Sequence, residues 1–164
     1  MADVVDASTR SRMMSRIRGK DTRPEIIVRK LLHKAGYRFR LHRKDLPGSP
    51  DVVLPKLKVA IFVHGCFWHA HTGCRFAKTP STRTSFWQEK LRRNMERDEI
   101  ARQALLVLGW RVLVVWECVT KSSDEVESLT QRFGTWLGKG SPTGDFGCTH
   151  EKQKPTPEEV GFLL

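Results

Sequence analysis

The sequence predicts a mixed α/β protein in which helices pack against a sheet. Two observations predict this class. Segments with apolar residues at helical spacing alternate with short apolar runs typical of strands, and turn-forming glycine and proline residues lie between them. After a basic N-terminal arm, the predicted order is a helix, three strands, a helix, a strand and a helix. At 164 residues the chain is long enough for one domain with a real core and too short for two.

The first predicted element is a basic helix or arm over residues 7–19. Met13, Met14 and Ile17 share one of its faces, among arginines. These residues either staple the arm onto the core or form an apolar wedge flanked by phosphate-binding arginines, as in proteins that intercalate from the minor groove of DNA. The sequence leaves both interpretations open.

A helix with clear boundaries follows. It begins after Thr22, because Thr22 and Glu25 have the spacing of a capping box, and Gly36 ends it. Three short strands come next, separated by turn-forming residues. They are predicted at residues 37–41, 51–54 and 58–63.

A long helix is predicted from about residue 85 to residue 108, before Gly109. Its apolar face consists of Trp87, Leu91, Met95, Ala101, Leu105 and Leu108. Lys90, Asn94 and Asp98 lie on the same face, in the N-terminal half of the helix. That half therefore either faces a site or a ligand, or carries partnered polar groups at the edge of the core.

The last predicted elements are a strand and a capped helix. The strand is predicted over residues 111–116, because a continuous apolar run follows Arg111, the pattern of a buried strand. Ser122 and Glu125 form a capping box at the start of a helix whose apolar face reaches Leu137. From Gly138 on, small, polar and charged residues dominate, and we expect a mostly irregular tail.

Positive charge is concentrated near the N-terminus. The chain has a net charge of +11, and residues 10–44 hold thirteen lysines and arginines against two acidic residues, so that the remainder is neutral. This segregation favours a polyanion as the partner. Because no apolar run approaches the ~20 residues of a membrane span, and no secretory signal is recognisable, we expect a cytoplasmic protein. Reduced thiols there are better suited to metal ligation than to disulfides.

Histidines and cysteines cluster in residues 64–74, directly after a predicted strand. Cys66, His71 and Cys74, with Cys118 after a later strand, match the Cys₃His set of structural zinc sites. The alternative is a group of buried cysteines without a metal. The signatures of zinc proteases and zinc deaminases do not occur in the sequence.

A second site is predicted around Asp51, which follows Pro50 at the start of a strand. This pattern is similar to the Pro-Asp…(Asp/Glu)-x-Lys nucleases, but the next strand lacks the acidic residue and the lysine. A magnesium ion held by Asp51 and a backbone oxygen, with His64 and His69 handling protons and charge, fits the sequence.

Several longer segments together resemble the very short patch repair endonucleases, over about residues 8–137. They are Pro47-Gly48-x-Pro50-Asp51, Ile61 to His69, Pro80-x-Thr82-Arg83-Thr84-x-Phe86-Trp87, Lys90-x-x-x-Asn94-x-x-Arg97-Asp98, and Leu108-Gly109-Trp110-Arg111-Val112-x-x-x-Trp116-Glu117-Cys118. The resemblance implies a restriction-endonuclease-like fold with a structural zinc site. It also implies an enzyme that nicks one DNA strand beside the thymine of a T:G mismatch left by deamination of 5-methylcytosine. The corresponding organisation is an arm at residues 1–20, a nuclease domain at 21–137 and a tail at 138–164.

The resemblance also implies residue roles. Asp51 would bind Mg²⁺ together with the carbonyl of Val63, and His69 would be the general base. His64 would stabilise the phosphate, with Glu25 and Asp98 in support. The residues expected to contact DNA are Phe67, Trp68 and Trp87 from the major groove, Met14 from the minor groove, Lys90 and Asn94 near the mispaired bases, and Ile17.

Three positions depart from the family pattern. Val63 stands where threonine is expected, Ala70 stands where histidine can occur, and one extra residue precedes Cys74. A backbone ligand tolerates the first change, and Gly73 can absorb the extra residue in the zinc loop.

Two other functions compete with a nicking enzyme. One is a non-catalytic, zinc-stabilised module that binds distorted or mismatched DNA, and the other is an RNA-binding zinc protein. Neither needs Asp51, His64 and His69. For the enzyme we expect a monomer in the bacterial cytoplasm, associated with the nucleoid, and the resemblance implies mismatch-repair proteins and DNA polymerase as partners.

Overall fold

A five-stranded mixed sheet forms the centre of the protein. The structure, a computed structural model, describes residues 5–17 and 19–148. In this part of the chain the helices are α1 (Ala7–Ser15), α2 (Arg23–Lys34), α3 (Thr84–Val107) and α4 (Ser123–Lys139). The strands are β1 (Arg40–Leu41), β2 (Val52–Leu54), β3 (Val59–His64), β4 (Arg111–Trp116) and β5 (Thr143–Phe146). Short 3₁₀ helices follow β2 at Pro55–Leu57 and β4 at Glu117–Thr120.

The strands lie side by side in chain order, from β1 to β5. The pairs β1–β2 and β2–β3 are antiparallel, whereas β3–β4 and β4–β5 are parallel. Because β3 and β4 are parallel, their carboxyl ends lie at the same edge of the sheet. The His64–Cys74 segment and Cys118 both follow at that edge, where open sheets commonly place their chemistry.

Helices cover both faces of the sheet. Alternate strand residues such as Ile61 and Leu113 pack with α2 and α4 in the larger core cluster, which includes the buried Leu32 and Phe133. Their neighbours along the strands pack with Leu105 of α3 in a smaller cluster on the other face. The predicted mixed α/β class, with a sheet flanked by helices, is confirmed.

The predicted capping residues lie at the ends of their helices. The Thr22 hydroxyl accepts a hydrogen bond from the Glu25 N–H, and the Ser122 hydroxyl accepts one from the Glu125 N–H. Gly36 and Gly109 follow α2 and α3 with φ of +89° and +84°, the left-handed conformation that glycine adopts without a steric penalty.

Several predicted features differ in the structure. The strand expected at 37–41 is paired only at Arg40 and Leu41, and the first helix ends at Ser15 instead of reaching residue 19. No residue of α1 is buried, and Met13, Met14 and Ile17 remain exposed, which argues against a staple onto the core.

On α3, Leu91, Ala101 and Leu105 are buried, but Met95 and Leu108 are exposed. Leu108 is already the C-cap residue, beyond the turns that pack on the sheet.

The C-terminal segment contains a strand where we expected irregular chain. Residues 143–146 form β5, which pairs in parallel with β4 and brings Phe146 into the core. Only one of these four residues is a large apolar one, so the sequence carries little strand signal. Gly144 lets the strand pass close to Trp136, because a Cβ there would lie 2.4 Å from the indole nitrogen. Residues 149–164 of the predicted tail lie outside the described residues.

In the described part of the chain, no helix combines the length and the apolar composition needed to cross a bilayer.

Candidate active site and metal centre

Asp51 directly precedes β2, and its carboxylate contacts the neighbouring strand. Its Oδ2 accepts a hydrogen bond of 2.8 Å from the Val63 N–H on β3. Burial raises the pKa of Asp51 to about 6, and the charge of Glu25 adds to this effect, while the Val63 N–H opposes it. A carboxylate in such a position is costly without a bound cation and well suited to one.

Glu25 lies in the first turn of α2 and is only 3% exposed. Its Oε2 accepts hydrogen bonds of 2.9 Å from the Asp21 N–H and from Nη2 of Arg29, one helical turn further on. Arg29 also binds the Asp21 carboxylate at 2.8 Å, and the His42 ring lies 3.0 Å from Arg29 Nη2. The sequence analysis did not identify Asp21, Arg29 or His42. The i, i+4 spacing of Glu25 and Arg29 was the one available signal.

His64 and His69 form a stacked pair at the end of β3. Their ring centroids are 3.8 Å apart and nearly parallel. Burial lowers the pKa of His64 to about 3, with the charge of His69 adding to the effect, so His64 is neutral at physiological pH.

Asp98 of α3 holds the second ring of this pair. Its Oδ2 lies 2.6 Å from Nδ1 of His69. An ionised carboxylate there requires the proton on Nδ1, which leaves Nε2 of His69 with its lone pair, as a general base needs. A cavity of about 220 Å³ adjoins the histidine pair, between the sheet and α3, and its lining includes His64, His69 and Asp98.

A separate cluster of three cysteines and a histidine lies at the same edge of the sheet. The candidate ligand atoms of Cys66, His71, Cys74 and Cys118 all lie within 4.8 Å of one another. The Cys118 Sγ–His71 Nδ1 distance is 3.6 Å. In a tetrahedral zinc site, Zn–S and Zn–N bonds of about 2.3 and 2.0–2.1 Å place such a pair about 3.5 Å apart. The donor set therefore fits a zinc ion.

The chain reaches this arrangement through a tight loop. The His71 N–H donates to the Cys66 carbonyl at 2.9 Å, and the His69 N–H donates to the Gly65 carbonyl at 3.1 Å. Gly73, directly before Cys74, has φ of +72°, the left-handed conformation that glycine adopts without a steric penalty. The His71 ring stacks on Trp116 at 4.1 Å. Because Cys66 and His71 lie on either side of His69 in sequence, the same loop carries both sites.

Aromatic side chains form a third group beside this loop. Phe67, Trp68 and Trp87 make edge-to-face contacts with centroid distances of 5.0–6.0 Å. The Nζ of Lys90 lies 5.5 Å from the Trp68 ring and 5.6 Å from the Trp87 ring. Two further residues complete the group. Asn94 donates to the Trp68 carbonyl at 2.9 Å, and Phe86, which the sequence analysis quoted without a role, contacts Trp87 and is 46% exposed.

The structure thus brings together most of the residues selected from the sequence. Glu25 and His69 are close enough to Asp51 for their charges to act on its pKa. His64, His69 and Asp98 form one contact group, as do the four cysteine and histidine candidates. Met14 and Ile17, by contrast, lie on or just after the exposed α1.

Comparison with known proteins gives consistent matches. A family model described as DNA mismatch endonuclease Vsr matches residues 2–75. The type II nicking enzyme V.XorIIP of Xanthomonas oryzae pv. oryzae is 52% identical over 128 residues, which are 78% of this chain and 93% of that relative. The DNA mismatch endonuclease Vsr of Escherichia coli is 45% identical over 144 residues, 86% of this chain and 92% of its own length. A nicking enzyme of Neisseria meningitidis, V.NmeAIP, is 43% identical over 74% of this chain and 86% of its own. At these identities and coverages, the chain belongs to the Vsr family of DNA mismatch endonucleases and is a DNA nicking endonuclease.

Proposed function

We propose that this endonuclease recognises T:G mismatches arising from deaminated 5-methylcytosine and, with Mg²⁺, nicks the DNA strand beside the mispaired thymine to start very short patch repair. The observation that carries this proposal is the pairing of a buried Asp51 carboxylate with the stacked His64–His69 pair. Binding of DNA alone gives no reason for either feature, which speaks against the non-catalytic alternative.

Oxygen donors beside Asp51 suit a hard divalent cation. We propose that the Asp51 carboxylate and the Val63 carbonyl hold Mg²⁺, with Glu25 nearby. When bound, Mg²⁺ would stabilise the negative charge that develops on the phosphate. Arg29 keeps Glu25 in place through the 2.9 Å ion pair, and the charge of this second carboxylate acts on Asp51.

His69 is the proposed general base. Asp98 fixes its Nδ1 through the 2.6 Å hydrogen bond, so that Nε2 is free to remove a proton from the attacking water. His64, held neutral by burial, would donate its ring N–H to a phosphate oxygen. The stacked rings keep both groups in fixed relative positions.

The Cys66, His71, Cys74 and Cys118 cluster is the proposed zinc site, and its role is structural. All four positions of a tetrahedral ion are filled by protein donors, which leaves none for a substrate. The zinc loop contains His69, so zinc binding would hold the general base in position. This accounts for a structural ion beside a catalytic site.

Phe67, Trp68 and Trp87 form the proposed wedge at the mismatch. A mispaired step is easier to unstack than a matched one, and inserted aromatic rings replace part of the lost stacking. Lys90 lies over the rings and would bring a positive charge to the DNA, with Asn94 beside it. The exposed Met14 and Ile17, within the basic segment 10–44, would act from the minor groove.

The test is a nicking assay on two duplexes that differ only in one base, a T:G mismatch or a T:A pair, in the same sequence context. Each strand is labelled separately, and Mg²⁺ is present or omitted. We expect a single nick in the thymine strand of the T:G duplex, dependent on Mg²⁺. Equal nicking of the T:A duplex would contradict the mismatch specificity, and nicking without any divalent cation would contradict the metal assignment.

A further inference from the structure

Cys148 is brought to the metal cluster by the unexpected strand β5. This strand is parallel to β4, with Phe146 opposite Val115. The residues that follow the two strands therefore leave the sheet at the same edge. Cys118 lies three residues beyond Val115 and Cys148 lies two residues beyond Phe146, so the two cysteines are neighbours. The sequence alone places Cys148 in a polar tail, far from the other thiols.

Cys148 contacts two of the four candidate ligands, although its sulfur lies outside the group of atoms that are all within 4.8 Å of one another. Its Sγ lies 3.9 Å from Cys74 Sγ, and its backbone N–H donates to Cys118 Sγ at 3.2 Å. Two thiolates bound to one tetrahedral zinc ion at about 2.3 Å each lie about 3.8 Å apart. The Cys148 thiol is thus at the distance from Cys74 that a common zinc ion would impose.

The segment that carries Cys148 also packs against the one nitrogen ligand. A Cβ on Gly147 would lie 2.7 Å from Nε2 of His71, so the backbone of residue 147 passes close to this ring and a larger residue there would require the ring to shift. Loss of the imidazole from the metal would open space directly beside Cys148. Both Cys₃His and Cys₄ sets form closed tetrahedral zinc sites, and either satisfies the ion.

We propose that Cys148 is a fifth donor of the metal site, which takes the coordination position of His71 when that imidazole is not bound. The Cys148 thiol gives up its proton to solvent, its sulfur bonds to the metal, and the His71 nitrogen leaves. The resulting set is Cys66, Cys74, Cys118 and Cys148. This inference rests on the zinc site proposed above and assigns a metal-binding role to a residue outside that set.

The test uses Co²⁺ as a spectroscopic substitute in the full-length protein. His71→Ala removes the nitrogen ligand, and His71→Ala with Cys148→Ser also removes the proposed replacement. Serine keeps the backbone N–H that bonds Cys118, so the comparison isolates the thiol. We expect the single variant to bind one Co²⁺ with sulfur-to-cobalt absorption about one third stronger than in the native protein, since four thiolates replace three. The double variant should bind Co²⁺ at least about tenfold more weakly than the single variant.

A second measurement leaves His71 intact and avoids any folding defect of its variants. Release of Zn²⁺ to a chromogenic chelator should be several-fold faster from Cys148→Ser than from the native protein, because no thiol captures the ion when His71 dissociates. If the single and double variants bind Co²⁺ equally, the role of Cys148 is wrong and the Cys₃His site remains. If the His71 variants do not fold, equal rates of Zn²⁺ release from Cys148→Ser and from the native protein lead to the same conclusion. If the native protein binds neither Co²⁺ nor Zn²⁺, the proposed zinc site and the role of Cys148 are both wrong.

Discussion

Replacing Asp51 with asparagine should stabilise the magnesium-free protein while abolishing nicking. The pKa of Asp51 is raised from an ordinary 3.8 to about 6, chiefly by burial. The asparagine amide has the same shape without the charge, and its oxygen can still accept the Val63 N–H bond, which is 2.8 Å long in the native protein. The substitution therefore keeps the hydrogen bond and removes a charge that the metal-free fold accommodates poorly.

The expected size follows from proton linkage. A carboxyl group whose pKa is raised on folding contributes stability below pH 3.8, and this contribution is lost as the pH rises through about 6. The difference between the two pKa values corresponds to about 3 kcal/mol. At pH 8, Asp51→Asn should therefore be more stable than the native protein by up to about 3 kcal/mol. For a chain of this size that is roughly 6–12 °C in melting temperature.

The assay is thermal and urea unfolding between pH 4 and pH 8, with zinc retained and magnesium omitted. The advantage of the variant should be small near pH 4 and complete above pH 7. Magnesium at one hundred times its Kd should then raise the stability of the native protein by about 2.7 kcal/mol and leave the variant unchanged. Asp45→Asn is the matched control. Asp45 is exposed, and its hydrogen bond from Arg43 lowers its pKa, so its loss should not stabilise the protein.

Two results would contradict this account. An Asp51→Asn protein that is no more stable than the native protein at pH 8 would show that burial of the charge carries no cost. An advantage of equal size at pH 4 and pH 8 would show that the effect does not come from ionisation. Native rates of nicking by the variant would separately rule out Asp51 as the magnesium ligand.

Four further predictions address the other groups. His69→Ala should slow nicking by about 10²–10⁴-fold in single-turnover assays, because it removes the general base, and should change mismatch affinity little. An unchanged rate would reject that role for His69. Elemental analysis should find one zinc per chain. Because structural zinc binding is coupled to folding, Cys118→Ser should lower the midpoint of urea unfolding. Folded, active protein without zinc would refute the structural role of the ion. Trp68→Ala should weaken binding to T:G duplexes far more than to T:A duplexes, since a ring stacked on a base contributes roughly 1–3 kcal/mol to binding. Equal losses of affinity for the two duplexes would assign Trp68 to packing within the protein. Replacing arginines in residues 10–44 should instead weaken both duplexes alike and flatten the salt dependence of binding.

Much of the fold could be predicted from local sequence. The capping boxes at Thr22 and Ser122 and the glycines at 36 and 109 are contained within one or two helical turns, so their effects do not depend on the rest of the chain. The apolar runs of β3 and β4 were equally clear, because both strands are largely buried. The four candidate zinc ligands were found because donor atoms of this kind are few in the sequence and three of them fall within nine residues.

Other features depend on groups that are distant along the chain. Strand β5 has a weak local pattern and exists because β4 offers it an unpaired edge. That pairing alone brings Cys148 to the candidate metal ligands Cys74 and Cys118, and Phe146 into the core. The network of Asp21, Arg29 and His42 around Glu25 likewise joins a turn, a helix and a loop, and the local sequence indicates only its Glu25–Arg29 pair.

The sequence by itself determined the class of fold, the family and the candidate residues of the sites, because these depend on residue type and on spacing within short segments. The tertiary structure alone decided their chemical state. The pKa of about 6 for Asp51 and of about 3 for His64 arises from burial between packed elements and from charges carried by other segments. The orientation of His69 depends on Asp98, twenty-nine positions away on another element. Burial and long-range electrostatics are properties of the folded arrangement, so they arise only once the sheet and α3 have come together.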